Sequence, residues 1–77
     1  MAKKRAASDT VYKVVEVIGT SEQSWEDAAR KAVQTAAETL RDLRIAEISQ
    51  LDLQMQGGKI AQYRARVKLS FKYEGGD

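Results

Sequence analysis

The sequence predicts an α+β fold with elements in the order β-α-β-β, and three observations carry that expectation. A run rich in β-branched residues, Tyr12 to Ile18, opens the domain. An apolar stripe at helical spacing follows, from Trp25 to Leu43. Two long segments, Arg44 to Met55 and Gln62 to Tyr73, then alternate apolar and polar residues on either side of Gly57-Gly58.

The first strand places Tyr12, Val14, Glu16 and Ile18 on one face and Val11, Lys13, Val15 and Val17 on the other. The segment "GTSEQS" interrupts it. Ser24 with Asp27 resembles a capping box with the shorter acid, and Ser21 is a rival N-cap. Glu22, Glu26 and Asp27 gather where a helix N-terminus favours negative charge. The helix stripe is Trp25, Ala28, Ala29, Ala32, Val33, Ala36, Ala37, Leu40 and Leu43. Alanine fills most of it, so the helix can approach its neighbour closely while burying little area; at roughly 25 cal/mol per Å² such a core contributes little. Trp25 falls on the stripe and is expected to be core.

The second strand changes phase. Ala46 and Ile48 occupy even positions, whereas Leu51, Leu53 and Met55 occupy odd ones. A three-residue loop at Gly57, Gly58 and Lys59 would set Met55 opposite Ala61, Leu53 opposite Tyr63, Leu51 opposite Ala65 and Asp52 opposite Arg64. One extra residue at Ser49-Gln50, a β-bulge, then sets Ile48 opposite Val67, Ala46 opposite Leu69 and Glu47 opposite Lys68. The bulge restores an apolar register and yields two opposite-charge cross-strand pairs. It also leaves Ile45 on the polar face of the sheet. Two strands of about a dozen residues are long for one short helix to cover, so neighbouring subunits are expected to cover the rest.

Composition narrows the function. The 77 residues allow one small domain, which often needs partners to be stable. Without cysteine or histidine, a disulfide framework, a thiolate metal site and the commonest general base are excluded. The sequence predicts neither catalytic residues nor a metal site: Glu47 and Asp52 face basic residues in the expected pairing, and no phosphate loop or nucleophile motif is present. "MAKKRAASDT" has no apolar signal region and no apolar run reaches membrane length, so the cytoplasm is the expected address and no membrane partner is expected. Residues 1–10 read as a disordered basic tail, 11–74 as the domain and 75–77 as a flexible end. The basic row Arg64, Arg66, Lys68 and Lys72 reads as a solvated strand face or an anion patch. Nucleic-acid binding is not expected, because Tyr63 and Phe71 point away from those basic residues.

The stretches "VYKVVEVIGTSEQSWEDAARKAV", "TLRDLRIAEI" and "YRARVKLSFKYE" together resemble the dodecins over about Val11 to Glu74. The resemblance implies a three-stranded antiparallel sheet partly wrapped around one amphipathic helix, with twelve identical subunits forming a hollow, non-enzymatic homododecameric shell. It also implies that flavin is bound or stored at subunit two-folds, with riboflavin or FMN as the family ligands and coenzyme A in some members. In flavin-binding dodecins a tryptophan near the start of the second strand stacks on the flavin ring. Ile45 stands at or beside that position here, and Glu47 matches the family's glutamate. A glutamine that follows the third-strand tyrosine bonds the flavin edge; the residue after Tyr63 is Arg64. With both contacts replaced, flavin binding is expected to be weakened. The candidate ligand residues on the open sheet face are Arg44, Ile45, Glu47, Gln50, Arg64 and Arg66.

Overall fold

The computed structural model describes residues 10–73. The expected tail, apart from Thr10, and the expected flexible end lie outside the described residues. Strand β1 (Tyr12–Ser21) leads to helix α1 (Trp25–Ala37), and the chain returns through β2 (Leu43–Gln56) and β3 (Lys59–Lys72). The three strands form one antiparallel sheet in the order β1-β3-β2, with α1 packed on one face. The expected β-α-β-β architecture is the one observed.

Strand β1 runs three residues beyond the expected Ile18, through "GTS". Gly19 explains how the helix can lie so close there. A Cβ at this position would stand 2.1 Å from the Ala28 carbonyl oxygen and 2.8 Å from the Ala32 Cβ. Only a residue without a side chain fits between strand and helix. The cap falls on Ser24, whose side chain accepts from the Asp27 N–H at 3.0 Å. The expected box is only half made. The Asp27 carboxylate instead accepts the Ser21 hydroxyl at 2.7 Å, and that hydroxyl oxygen accepts from the Gln23 N–H. Thus Ser21, the rival cap, ties the end of β1 to the first turn of α1.

The helix stops at Ala37, short of the apolar stripe's end. Leu40 and Leu43 still pack on the core, but from the loop after α1 and from β2. The last turn tightens: Glu38 and Thr39 donate to the carbonyls of Thr35 and Ala36, and Asp42 turns the chain at φ 55°. The core is Ala28, Ala32, Ala65, Val67 and Leu69, with Val15, Val17 and Val33 partly buried against it. It lies between α1 and the β1–β3 pair.

The register bears out the bulge. Ile48 pairs with Val67 and Gln50 with Arg66, so Ser49 is the extra residue; its hydroxyl donates to the Arg66 carbonyl at 3.2 Å. Leu53–Tyr63, Asp52–Arg64, Leu51–Ala65, Glu47–Lys68 and Ala46–Leu69 all pair as expected. The turn differs. Gln56 pairs with Lys59 and Met55 with Ile60, so the loop is two residues, Gly57 and Gly58, both at positive φ. Positive φ at both central residues gives a turn whose twist matches that of the flanking antiparallel strands. A second irregularity at Gln54/Met55 absorbs the difference.

Helix α1 does not reach over β2. On its helix-side face Ile48, Leu51, Leu53 and Met55 are exposed, as is Ile60 of β3. Trp25 corrects a further expectation. It is 37% exposed rather than core, standing edge-on to Tyr63 at 5.3 Å and donating its indole N–H to the Asp52 carbonyl at 2.9 Å.

Candidate functional site

The face of the sheet away from α1 forms a grid set by the two registers. At its ends and middle the cross-strand rows read Val14–Ser70–Ile45, Glu16–Lys68–Glu47, Ile18–Arg66–Gln50 and Thr20–Arg64–Asp52, each written from β1 through β3 to β2. Basic residues thus line the central strand and carboxylates the two outer strands. Ile45 and Val14 are about half exposed on either side of the small Ser70. The expected placement of Ile45 on the polar face therefore holds.

The structure splits the expected ligand residues. Ile45 and Arg64 stand in the two end rows of the grid, while Glu47 opposite Lys68 and Gln50 opposite Arg66 occupy the two adjacent middle rows. On β3 the end rows fall at Ser70, opposite Ile45, and at Arg64, six residues apart, which in a strand is about 20 Å. Ile45 and Arg64 therefore share a face, as expected, but stand at its opposite ends. A small ring ligand that touches both positions must draw them from two copies of the chain. Arg44 lies at the irregularity between Leu43 and Ile45, outside the ladder, and pairs with Asp42 at 3.8 Å.

Arg64 and Arg66 differ sharply in how they are held. The Arg64 guanidinium forks onto Asp52, Nε to Oδ1 at 2.7 Å and Nη2 to Oδ2 at 2.9 Å. The hydrogen bond from Arg64 holds the Asp52 carboxyl below the usual carboxylate range, and the same contact raises Arg64 further. Arg66 makes one ion pair among the described residues, with Glu16 at 3.8 Å; its charge also reaches Asp52, and its Nε is buried without a hydrogen-bond partner. Among the described residues, no three acidic groups come together to hold a metal ion, and no helix is long and apolar enough to cross a membrane.

A groove of about 550 Å³ lies on the other side of the sheet, between β1 and α1. Val15, Val17, Gly19, Ala32, Ala36 and Leu40 line it, so it is largely apolar and continuous with the core. The sequence reading missed two partners of the grid. Trp25 reaches Asp52 across 27 residues of sequence, a contact no periodicity encodes. Val14 was placed on the correct face, but its position beside Ile45 required the β1–β3 register.

The Dodecin family model matches residues 11–74, which is almost all of the described chain. The chain belongs to the dodecin family. The calcium dodecin of Mycobacterium tuberculosis is 41% identical over 63 residues, covering 82% of this chain and 89% of the relative. The dodecin of Thermus thermophilus is 33% identical over 64 residues, covering 83% and 93%. Among solved structures, the dodecin from Streptomyces coelicolor superposes with a TM-score of 0.80 at 38% identity, over 90% of this chain and 99% of that one. The dodecin fold thus accounts for both the sheet order and the single covering helix.

Proposed function

We propose that this dodecin assembles as a non-enzymatic homo-oligomeric shell, of twelve subunits as the family resemblance implies, and holds a small ligand against the open face of its sheet. Flavin binds there far more weakly than to a dodecin with the stacking tryptophan. The observation that carries this reading is the pair of changes at the grid's two ends. Ile45 offers no aromatic face, and Arg64 is clamped by Asp52 at 2.7 Å and 2.9 Å rather than free for a flavin edge. A stacking contact to a ring is worth roughly 1–3 kcal/mol, so its loss weakens binding by about five- to two-hundred-fold.

Assembly is supported by the uncovered apolar row Ile48, Leu51, Leu53, Met55 and Ile60, which a single helix cannot reach. The absence of catalysis is supported by the grid itself: Glu16 and Glu47 flank Lys68, and Asp52 faces Arg64, so each strand carboxylate on this face has a cationic neighbour. Equilibrium dialysis of riboflavin and FMN against the assembled protein tests the reading, since binding without an aromatic partner need not quench the flavin. Weak or absent retention is expected. Saturable retention at submicromolar flavin would overturn the weakened site.

A second reading makes the ligand a calcium ion, since the Mycobacterium relative carries calcium in its name. Glu16 and Glu47 of symmetry-related grids are the carboxylates that would take part. Calcium titration calorimetry of the assembly separates the two, with saturable heat expected only if this second reading holds. Silence toward flavin and calcium alike would turn the search to coenzyme A or leave the shell as a structural assembly.

A further inference from the structure

The open-face cations are not equivalent, and that difference assigns them different work. Arg64 is neutralised by a two-pronged contact with Asp52. Arg66, two residues on and on the same face, has one distant carboxylate at 3.8 Å and an Nε that is shielded from water with no acceptor. A guanidinium left so poorly satisfied gains from any acceptor of better geometry. Its backbone is nonetheless fixed, because the bulge residue Ser49 donates to the Arg66 carbonyl. The side chain can re-aim without disturbing the sheet.

We propose that Arg66 is the anion anchor of the open face, and that with Lys68 and the Gln50 amide it takes the phosphate dianion of a phosphorylated small molecule. The inference rests on the open face being the ligand face. Gln50 pairs with Arg66 across the ladder, and Lys68 follows on the same side of β3, roughly 7 Å along the strand. A phosphate between them meets the planar fork of the guanidinium, the lysine ammonium and two amide N–H donors. Glu16, Glu47 and Asp52 are the competitors: Glu16 and Glu47 flank Lys68, Glu16 also holds Arg66, and the Arg66 charge reaches Asp52. A carboxylate at 3.8 Å makes no short hydrogen bond, whereas phosphate brings more charge and more acceptor oxygens to the same donors. The anion therefore displaces Glu16 from Arg66.

This competition gives a test with opposite signs. The assembled protein, checked by sedimentation, is titrated calorimetrically with inorganic pyrophosphate. Saturable binding is expected. Arg66→Gln should weaken it about tenfold or more, while Glu16→Gln, which frees Arg66, should strengthen it severalfold. Arg41→Gln removes an equal charge from the loop after α1 and controls for a general charge effect. No saturable heat from the unmodified protein overturns the inference. So does a loss with the charge-balanced pair Arg64→Gln and Asp52→Asn as large as with Arg66→Gln, or weaker binding after Glu16→Gln. If Arg66→Gln fails to assemble, the sign of the Glu16→Gln effect decides. The flavin dialysis and the calcium titration keep the two claims apart. Silence toward pyrophosphate while riboflavin or calcium still binds sinks only the anchor, whereas silence toward pyrophosphate, riboflavin and calcium together sinks the ligand face itself.

Discussion

At the scale of single residues, the Asp52–Arg64 clamp has a pH dependence whose direction follows from its geometry. Asp52 is held below the usual carboxylate range because Arg64 hydrogen-bonds its charged form. A carboxyl depressed in the folded state adds stability that is fully present above its unfolded value and is lost as pH falls through the folded one. The clamp is therefore intact at neutral pH and releases only in acid. In an Arg64→Gln variant the Asp52 titration, followed by NMR, should move back up into the ordinary carboxylate range. An unmoved titration would mean that another group holds Asp52. The double change Ile45→Trp with Arg64→Gln should restore tight flavin quenching where either single change does not. Its failure would show that more than these two positions closed the site. The clamp was legible in the sequence because counting back from the glycine turn placed Asp52 opposite Arg64. The weakly held Arg66 was not, since only side-chain geometry distinguishes two arginines two residues apart.

At the scale of elements, the junction of β1 and α1 concentrates the local determinants of the fold. Ser24→Ala removes the acceptor for the Asp27 N–H and should destabilise the fold by about 1 kcal/mol in thermal or denaturant unfolding. Gly19→Ala forces a methyl group against the Ala28 carbonyl and the Ala32 Cβ, so a larger loss of about 1–3 kcal/mol is expected. A melting temperature unchanged by Gly19→Ala would show that helix and strand can separate there at little cost. Helix, strands and bulge could all be read from periodicity. The hairpin loop was read one residue too long because Met55 and Ala61 made an acceptable apolar pair, hiding the second irregularity at Gln54/Met55. The helix end was also overrun. Leu40 and Leu43 keep helical spacing in the sequence, yet they pack on the core from a loop and a strand.

At the scale of the whole molecule, three alanines, one valine and one leucine form the buried core among the described residues, while five larger apolar residues remain uncovered on the helix-side face of the hairpin. So small a domain with so thin a core is expected to draw stability from association. Sedimentation should give a species many times the mass of one chain. Leu51→Glu, which puts a charge in the exposed row, should shift it toward smaller species. A Leu51→Glu protein that sediments like the parent would remove this row from the interface. The need for a partner could be inferred from strand length and the alanine-rich stripe. The distance of about 20 Å between the Ile45 and Arg64 rows follows from the same expected register, which already set Ala46 opposite Leu69 and Asp52 opposite Arg64.

Trp25 is the one tryptophan of the chain, and it bridges α1 to the β2–β3 hairpin through Tyr63 and the Asp52 carbonyl. Its near-ultraviolet emission is therefore a built-in optical gauge of the seam between helix and hairpin, and should shift to the red as that seam opens. Flavins absorb where indole emits, so a bound flavin would accept excitation energy from Trp25 without touching it. Dimming of the indole without loss of flavin emission would then signal proximity, and dimming of both would signal stacking.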